Sequence, residues 1–388
     1  MENFRDPQFL KAHIQKILAF YFPKARQASG FAQGFLDTGQ IYDAETRHLV
    51  SSTRHVVNLA RASQLFGEAW VMDDLNHGLL ALRADHYQED GRYIWTRSGQ
   101  AVDHTIYTYG LAFVQLAYAS AVRASLLSAH VWLEENWQTL ETHCYEAEQG
   151  LYKDQADPSW NFTNYRGQNA NMHLCEAFIE SYWATQDVKF LDRACQIAKR
   201  VSLELASQNS MTLVWEHYDA NWLIDWEFNR HDPRHLFRPW GFQPGHQAEW
   251  AKLLLMLAQI RLEEWMVPRA KTLLDWVLNK TWDTTYGGFY YGIAPDGKVC
   301  DGDKYYWVQA ETVAACALMA QHDPSYWQWY EWIWEYAWTH FVDHEHGAWY
   351  RILSRENQRY DNRKSPPCKT DYHTLGACWD VLHALKAH

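Results

Sequence analysis

Four side chains fit for proton transfer or for gripping oxygens fall near the starts of helix-like segments: Arg54, His173, His246 and His373. Tyr109 and Glu311 hold comparable places in two more segments. An imidazole titrates near neutral pH, so it can take a proton from carbon or oxygen and return it. A guanidinium holds a pair of oxygens through its planar fork of N–H groups. Gathered in one place, such groups suit proton transfer on a polyhydroxylated ligand. Their types and spacing match no phosphate-binding or nucleophile motif: HExxH, GxxxxGK(S/T), GxSxG and a GxGxxG before a helix are all missing from the sequence.

The elements that must position these residues recur. The segments are Ser51–Phe66, His104–Ala121, Asn169–Thr185, Pro244–Ile260, Lys304–Ala320 and Thr370–Lys386. Their key side chains follow one another at intervals of 55 to 73 residues, a loose period that means one supersecondary unit used six times. Stretches such as AKLLLMLAQI and ETVAACALMA are apolar nearly all round, as in helices surrounded by neighbours. Between them lie amphipathic stretches with one wet face: Glu68–Asp85, Arg123–Cys144, Val188–Ser207, Glu263–Asn279 and Tyr326–Phe341, with Pro7–Ala28 supplying a sixth. Gly- and aromatic-rich runs at 30–43, 90–103, 150–162, 287–303 and 346–361 predict small hairpins. Six inner and six outer helices with short β-hairpins at the active-site end make an all-α protein, an (α/α)6 barrel, and residues 1–388 are expected to form one catalytic domain. The longest irregular stretch, 220–243, runs into His246 and is expected to act as a lid or pocket wall.

In that architecture the inner-helix N-termini converge on one cavity, where free N–H groups and positive dipole ends favour an electron-rich ligand. His246 follows Pro244-Gly245, and Glu249 three residues on is expected to sit beside its ring. His373 follows the potential caps Thr370 and Asp371. Asn169 and His173 share a face, as do Trp307 and Glu311; Arg238 is a candidate wall residue from the long loop. Asp343-His344-Glu345-His346-Gly347 matches no metalloenzyme spacing and falls at a predicted turn, so no metal is expected there.

Composition narrows the class. The 388 residues are 47% hydrophobic, with 35 basic and 47 acidic side chains and a net charge of −12. An acidic chain without a basic stripe argues against a nucleic-acid partner. No run reaches the ~18 apolar residues of a membrane span, and the N-terminus lacks the features of a signal peptide. Seven scattered cysteines without a CxxC pair read as reduced thiols in a cytoplasmic protein, monomer or homodimer.

Three segments carry a resemblance: RGQNANMHLCEAF (166–178), FRPWGFQPGHQAEW (237–250) and KTDYHTL (369–375). They resemble signature segments of the N-acylglucosamine 2-epimerase superfamily, nearest its branch of mannose and sulfoquinovose isomerases, over nearly the whole chain. The resemblance implies an (α/α)6 barrel working without metal or cofactor on a monosaccharide. It implies interconversion of an aldose and a ketose, mannose and fructose foremost, through a cis-enediol. His246 and His373 are the implied acid–base pair. Arg54, Tyr109, Asn169, His173, Arg238, Glu249, Trp307 and Glu311 match pocket-lining positions. The alternatives are a 2-epimerase acting on N-acylglucosamine or cellobiose, a sulfoquinovose isomerase served by Arg54, Arg238 and His235, and a glycoside hydrolase on the same barrel. The last needs two carboxylates across the scissile bond. A non-catalytic binding module is disfavoured by the two histidines at the cavity mouth.

Overall fold

The computed structural model describes residues 2–366 and 368–386. Twelve α-helices order them: α1 (Pro7–Tyr21), α2 (Leu49–Leu65), α3 (Ala69–His86), α4 (Thr108–Arg123), α5 (Ala129–Thr139), α6 (Gln168–Thr185), α7 (Val188–Lys199), α8 (Pro244–Ile260), α9 (Met266–Lys280), α10 (Tyr306–Met319), α11 (Tyr326–His340) and α12 (Tyr372–Lys386). The even-numbered helices form a closed inner ring: α2 packs on α4, α4 on α6, α6 on α8, α8 on α10, α10 on α12, and α12 back on α2. Each odd-numbered helix packs outside an inner one, and α1, from the other end of the chain, covers α12. The architecture is the (α/α)6 barrel expected from the repeat.

Sequence pattern explains the two rings. Every residue of α10 is buried, as is nearly all of α4, because inner helices have neighbours on all sides. α7 buries only Phe190, Leu191, Ala194, Cys195, Ile197 and Ala198 on one stripe and wets the rest. α5 and α7 end in π-helical turns, Leu140–Cys144 and Arg200–Leu205, which carry the outer helices to the lengths the sequence suggests. α1 is shorter than expected. Phe22 precedes Pro23, which disfavours helical backbone, and it leaves the helix at φ −106°, ψ 142°.

Three inner helices begin two to four residues late; in α4 and α10 short strands occupy the predicted starts, and a strand also precedes α12. Ile106–Tyr107, Lys304–Tyr305 and Arg363–Ser365 are extended. Each strand entering an inner helix pairs antiparallel with a segment of the following repeat: 47–48 with 96–97, 106–107 with 155–156, 166–167 with 217–218, and 304–305 with 352–353. Phe242 bridges to Ile293, and Arg363–Ser365 pairs with Phe35–Leu36. A ring of strand pairs therefore caps the barrel end where the inner helices start. Buried cations anchor it. Lys304 Nζ donates to Asp283 (3.1 Å) and to the carbonyls of Gly287 (2.7 Å) and Gly288 (3.2 Å). Lys364 makes the same grip on Asp343 and Gly347. This explains Asp343–Gly347: Asp343 Oδ1 accepts from the N–H groups of Glu345 and His346, each at 3.0 Å, and closes a turn.

Candidate active site

The inner helices present two tiers of side chains to the barrel axis. The second or third residue of five of them forms the mouth: Tyr109, Asn169, His246, Trp307 and His373. The sixth residue, one turn deeper, gives Arg54, Phe113, His173, Glu249 and Glu311 from α2, α4, α6, α8 and α10. The six recurring side chains of the sequence thus fall at two depths, a direct result of the four-residue helical step. Arg54, Tyr109, Asn169, His173, His246, Glu249, Trp307 and His373 line one tight hollow of about 40 Å³ under Leu236, Phe237 and Pro239. It adjoins a vestibule of about 320 Å³ walled by Trp95, Tyr107, Tyr165 and Arg238.

The two histidines face each other across Trp307, whose ring centroid is 5.2 Å from that of His246 and 5.6 Å from that of His373. Each imidazole is held by a glutamate at Nδ1. For His373 the partner is Glu311, at 2.6 Å. For His246 it is Glu216, whose two oxygens stand 3.0 and 2.9 Å away. With Nδ1–H donated to a carboxylate, Nε2 of each ring is left as the base. Gln168 Nε2 donates to Glu216 at 3.0 Å, and its oxygen accepts from Trp250 Nε1 at 2.7 Å, so the Glu216 carboxylate is itself held. Burial pushes the His373 imidazole well below its ordinary range, helped by Arg54, so the ring is neutral near pH 7.

Arg54 lies at the floor. It donates to the Cys368 carbonyl (2.6 Å) and the Tyr109 hydroxyl (3.3 Å), stands 3.3 Å from His373 Nε2, and stacks over Phe113 at 4.5 Å. Burial raises the Tyr109 phenol to about 12, so it stays protonated. His173 Nδ1 lies 3.2 Å from Glu176, and Glu176 accepts from the Tyr372 hydroxyl. Glu249 differs. Neither of its oxygens has a hydrogen-bond partner among the described residues. Burial and the nearby Glu311 charge raise it well above the carboxylate range, leaving a neutral acid aimed at the hollow. Lys369 also lines the hollow, and burial lowers it to about 8.

Three sequence expectations change. Glu249 does not hold the His246 ring; it lies 3.8 Å from His173 Nδ1, because its place one turn down α8 points it at α6. Glu311 lies behind His373 instead of on the hollow wall, its other oxygen 2.6 Å from Lys252 Nζ. Arg238 belongs to the vestibule, bound to Asp154 at 2.8 Å and Gln155 at 2.9 Å. The stretch 220–243 does supply a pocket wall, through Leu236, Phe237 and Pro239. Glu216, Tyr291 and Lys369 are additions. Glu216 enters through the cross-repeat pairing of 166–167 with 217–218, a contact that helical periodicity does not encode.

Two donor sets, His173–Glu176–Glu249 and Glu249–Glu311–His373, have their ligand atoms within 4.8 Å of one another. In both, Glu249 is the uncommitted member. The other carboxylates are engaged by Tyr372, Arg61, Lys252 and the imidazoles. Arg54 and Lys252 put positive charge beside the same atoms, which suits a proton network.

Comparison with known proteins identifies the family. The family model for N-acylglucosamine 2-epimerase matches residues 30–377, and the chain belongs to that family of sugar-converting enzymes. It is 51% identical over 387 residues to a D-mannose isomerase of Marinomonas mediterranea, covering 98% of each chain. A crystal structure of D-mannose isomerase superposes with a TM-score of 0.97 at 50% identity over 100% of both chains. Cellobiose 2-epimerase from Bacillus thermoamylovorans B4167, at 16% identity and 97% and 99% coverage, shares the fold with a TM-score of 0.85. No helix among the described residues is long and apolar enough to cross a membrane.

Proposed function

We propose that the chain interconverts D-mannose and D-fructose by metal-independent proton transfer between C1 and C2. One observation carries the mechanism: two imidazoles flank a single indole, each with Nδ1 held by a carboxylate. The 51% identity to a D-mannose isomerase supports the substrate.

On the open-chain aldose, one imidazole removes the proton from C2. The C–H electron pair becomes the C1=C2 bond, and O1 takes up a proton. The cis-enediol then loses the proton of O2 and gains one at C1, giving the ketose. The second imidazole serves proton transfer at oxygen, including ring opening. A base for a C–H beside a carbonyl must be unprotonated at the operating pH, as a neutral imidazole is. Negative charge developing on O1 and O2 meets preorganised donors: Arg54, the Tyr109 hydroxyl, the protonated Glu249 and the N-terminal N–H groups of the inner helices. The flat indole of Trp307 offers a surface for the apolar face of the sugar. Asn169 and His173 add polar contacts on the α6 side.

The test incubates the enzyme, in excess EDTA, separately with D-mannose, D-glucose, N-acetyl-D-mannosamine, sulfoquinovose and cellobiose. Fructose from mannose is the expected product. A C2 epimer in place of a ketose, turnover confined to another substrate, or loss of activity in EDTA overturns the corresponding part of the reading.

A further inference from the structure

Beneath the hollow, the barrel axis is ionic where an apolar core would be ordinary. Lys252 on α8 is 3% exposed and lies two turns below the start of its helix. Its ammonium is 2.6 Å from Glu311 Oε2 and 3.5 Å from Asp380 Oδ2. Glu311 Oε1 in turn is 2.6 Å from His373 Nδ1. Asp380 is on α12, the helix that carries His373. The chain His373–Glu311–Lys252–Asp380 therefore crosses three helices and returns to the first.

A buried ammonium is costly unless paired, and a lysine ~3 Å from a carboxylate fixes where the negative charge resides. Two glutamates compete here. Glu311 and Glu249 are close enough to repel, and Lys252 touches Glu311. The other charged or titratable groups facing this cluster are Arg54 and Arg61 from α2, Tyr109 from α4, His173 and Glu176 from α6, His246 from α8, Lys369 before α12, and Tyr372, His373 and Asp380 from α12. Glu249 has no hydrogen-bond partner among the described residues, whereas Glu311 meets His373 through Oε1 and forms an ion pair with Lys252 through Oε2, so the geometry favours the proton on Glu249.

We infer that Lys252 is a positioning residue for the proton transfer: by pairing with Glu311 it keeps that side chain a carboxylate, so that His373 donates from Nδ1 and keeps Nε2, 3.3 Å from Arg54, without a proton. Asp380 completes the pairing of the ammonium. The inference rests on the proposed isomerase reading for its kinetics, though not for its geometry.

Lys252→Met removes the ammonium and keeps most of the side-chain volume. The expected result is a fall in kcat of roughly 100-fold with KM changed less than about 3-fold, since Lys252 never touches the sugar. The Lys252 charge helps to hold the His373 imidazole down, so without it the ring takes up a proton at higher pH and the acidic limb of the kcat/KM profile moves to higher pH. Glu311→Gln is the second variant. If Lys252 acts through Glu311, adding Lys252→Met to Glu311→Gln lowers kcat by less than about 3-fold, far short of the product of the single effects. That double variant leaves no unpaired carboxylate at position 311, so it keeps the test open should Lys252→Met alone fail to fold. Multiplicative losses, or an unshifted acidic limb in a folded Lys252→Met protein, overturn the inference. A readout free of turnover is the downfield Nδ1–H proton resonance of His373. It is expected in the parent protein and should move upfield in Lys252→Met and Glu311→Gln; a resonance unchanged in both also overturns the inference. Should no sugar be turned over by the parent protein, the isomerase reading fails, while the resonance still decides the role of Lys252.

Discussion

The two imidazoles are the residues on which the chemistry turns, and their carboxylate partners set how they work. His246→Ala and His373→Ala should each lower kcat/KM by roughly 10³-fold or more, measured by fructose formation, because removal of an acid–base group costs about 10²–10⁴. Glu216→Gln should lower kcat by roughly 10-fold or more with little change in KM, since it frees the Nδ1 tautomer of His246 without touching the substrate's place. An unchanged kcat would remove Glu216 from the account. The histidines could be read from sequence because each stands at a helix start and recurs with the repeat. Their partners could not. Glu249 had the right spacing for His246 and points to α6 instead. Glu311, taken for a wall residue, faces His373 across the gap between α10 and α12. Which carboxylate meets which ring depends on packing between helices far apart in sequence.

Helix periodicity made the elements legible, and strand pairing between repeats set their ends. Ile106–Tyr107 and Lys304–Tyr305 are short strands whose partners lie in the next turn of the barrel, so local pattern extended those helices past their true starts. Lys364→Met leaves the buried Asp343 without its cation and should cost about 3–5 kcal/mol, seen as a lower urea midpoint. A midpoint equal to the parent's would show the grip to be dispensable. The contact between α8 and α10 is as demanding. A Cβ on Gly245 would lie 2.3 and 2.4 Å from Trp307 ring carbons and 2.9 Å from Val308. Gly245→Ala should therefore shift Trp307 from between the histidines, costing about 1–3 kcal/mol of stability and lowering kcat. Thermal unfolding and steady-state kinetics check both effects, and full activity at an unchanged melting temperature would contradict them.

The whole molecule is held as a ring, and α12 packing on α2 and under α1 closes it. Burying so many polar groups inside that ring makes it sensitive to acid. Burial holds His13, His48 and His55 at about 3, and His86 and His217 at about 4, against an ordinary value of about 6.5. Between pH 6.5 and 4 the unfolded chain therefore binds protons that the folded chain refuses. Stability is full above pH 6.5 and falls as pH drops through that window. The urea midpoint should be flat from pH 7 to 8 and clearly lower at pH 5; an equal midpoint at pH 5 would contradict it. The same closure brings together residues 127 positions apart and makes one hollow of them. The most direct measurement of that claim is the conversion of D-mannose in D2O, followed by NMR for the parent protein and for His246→Ala and His373→Ala. The account predicts solvent deuterium at C1 of the fructose formed by the parent and no conversion above roughly a thousandth of that rate in either variant. Fructose whose new C1 hydrogen comes entirely from C2 as an unexchanged hydride, or a variant that keeps the parent's rate, would contradict it.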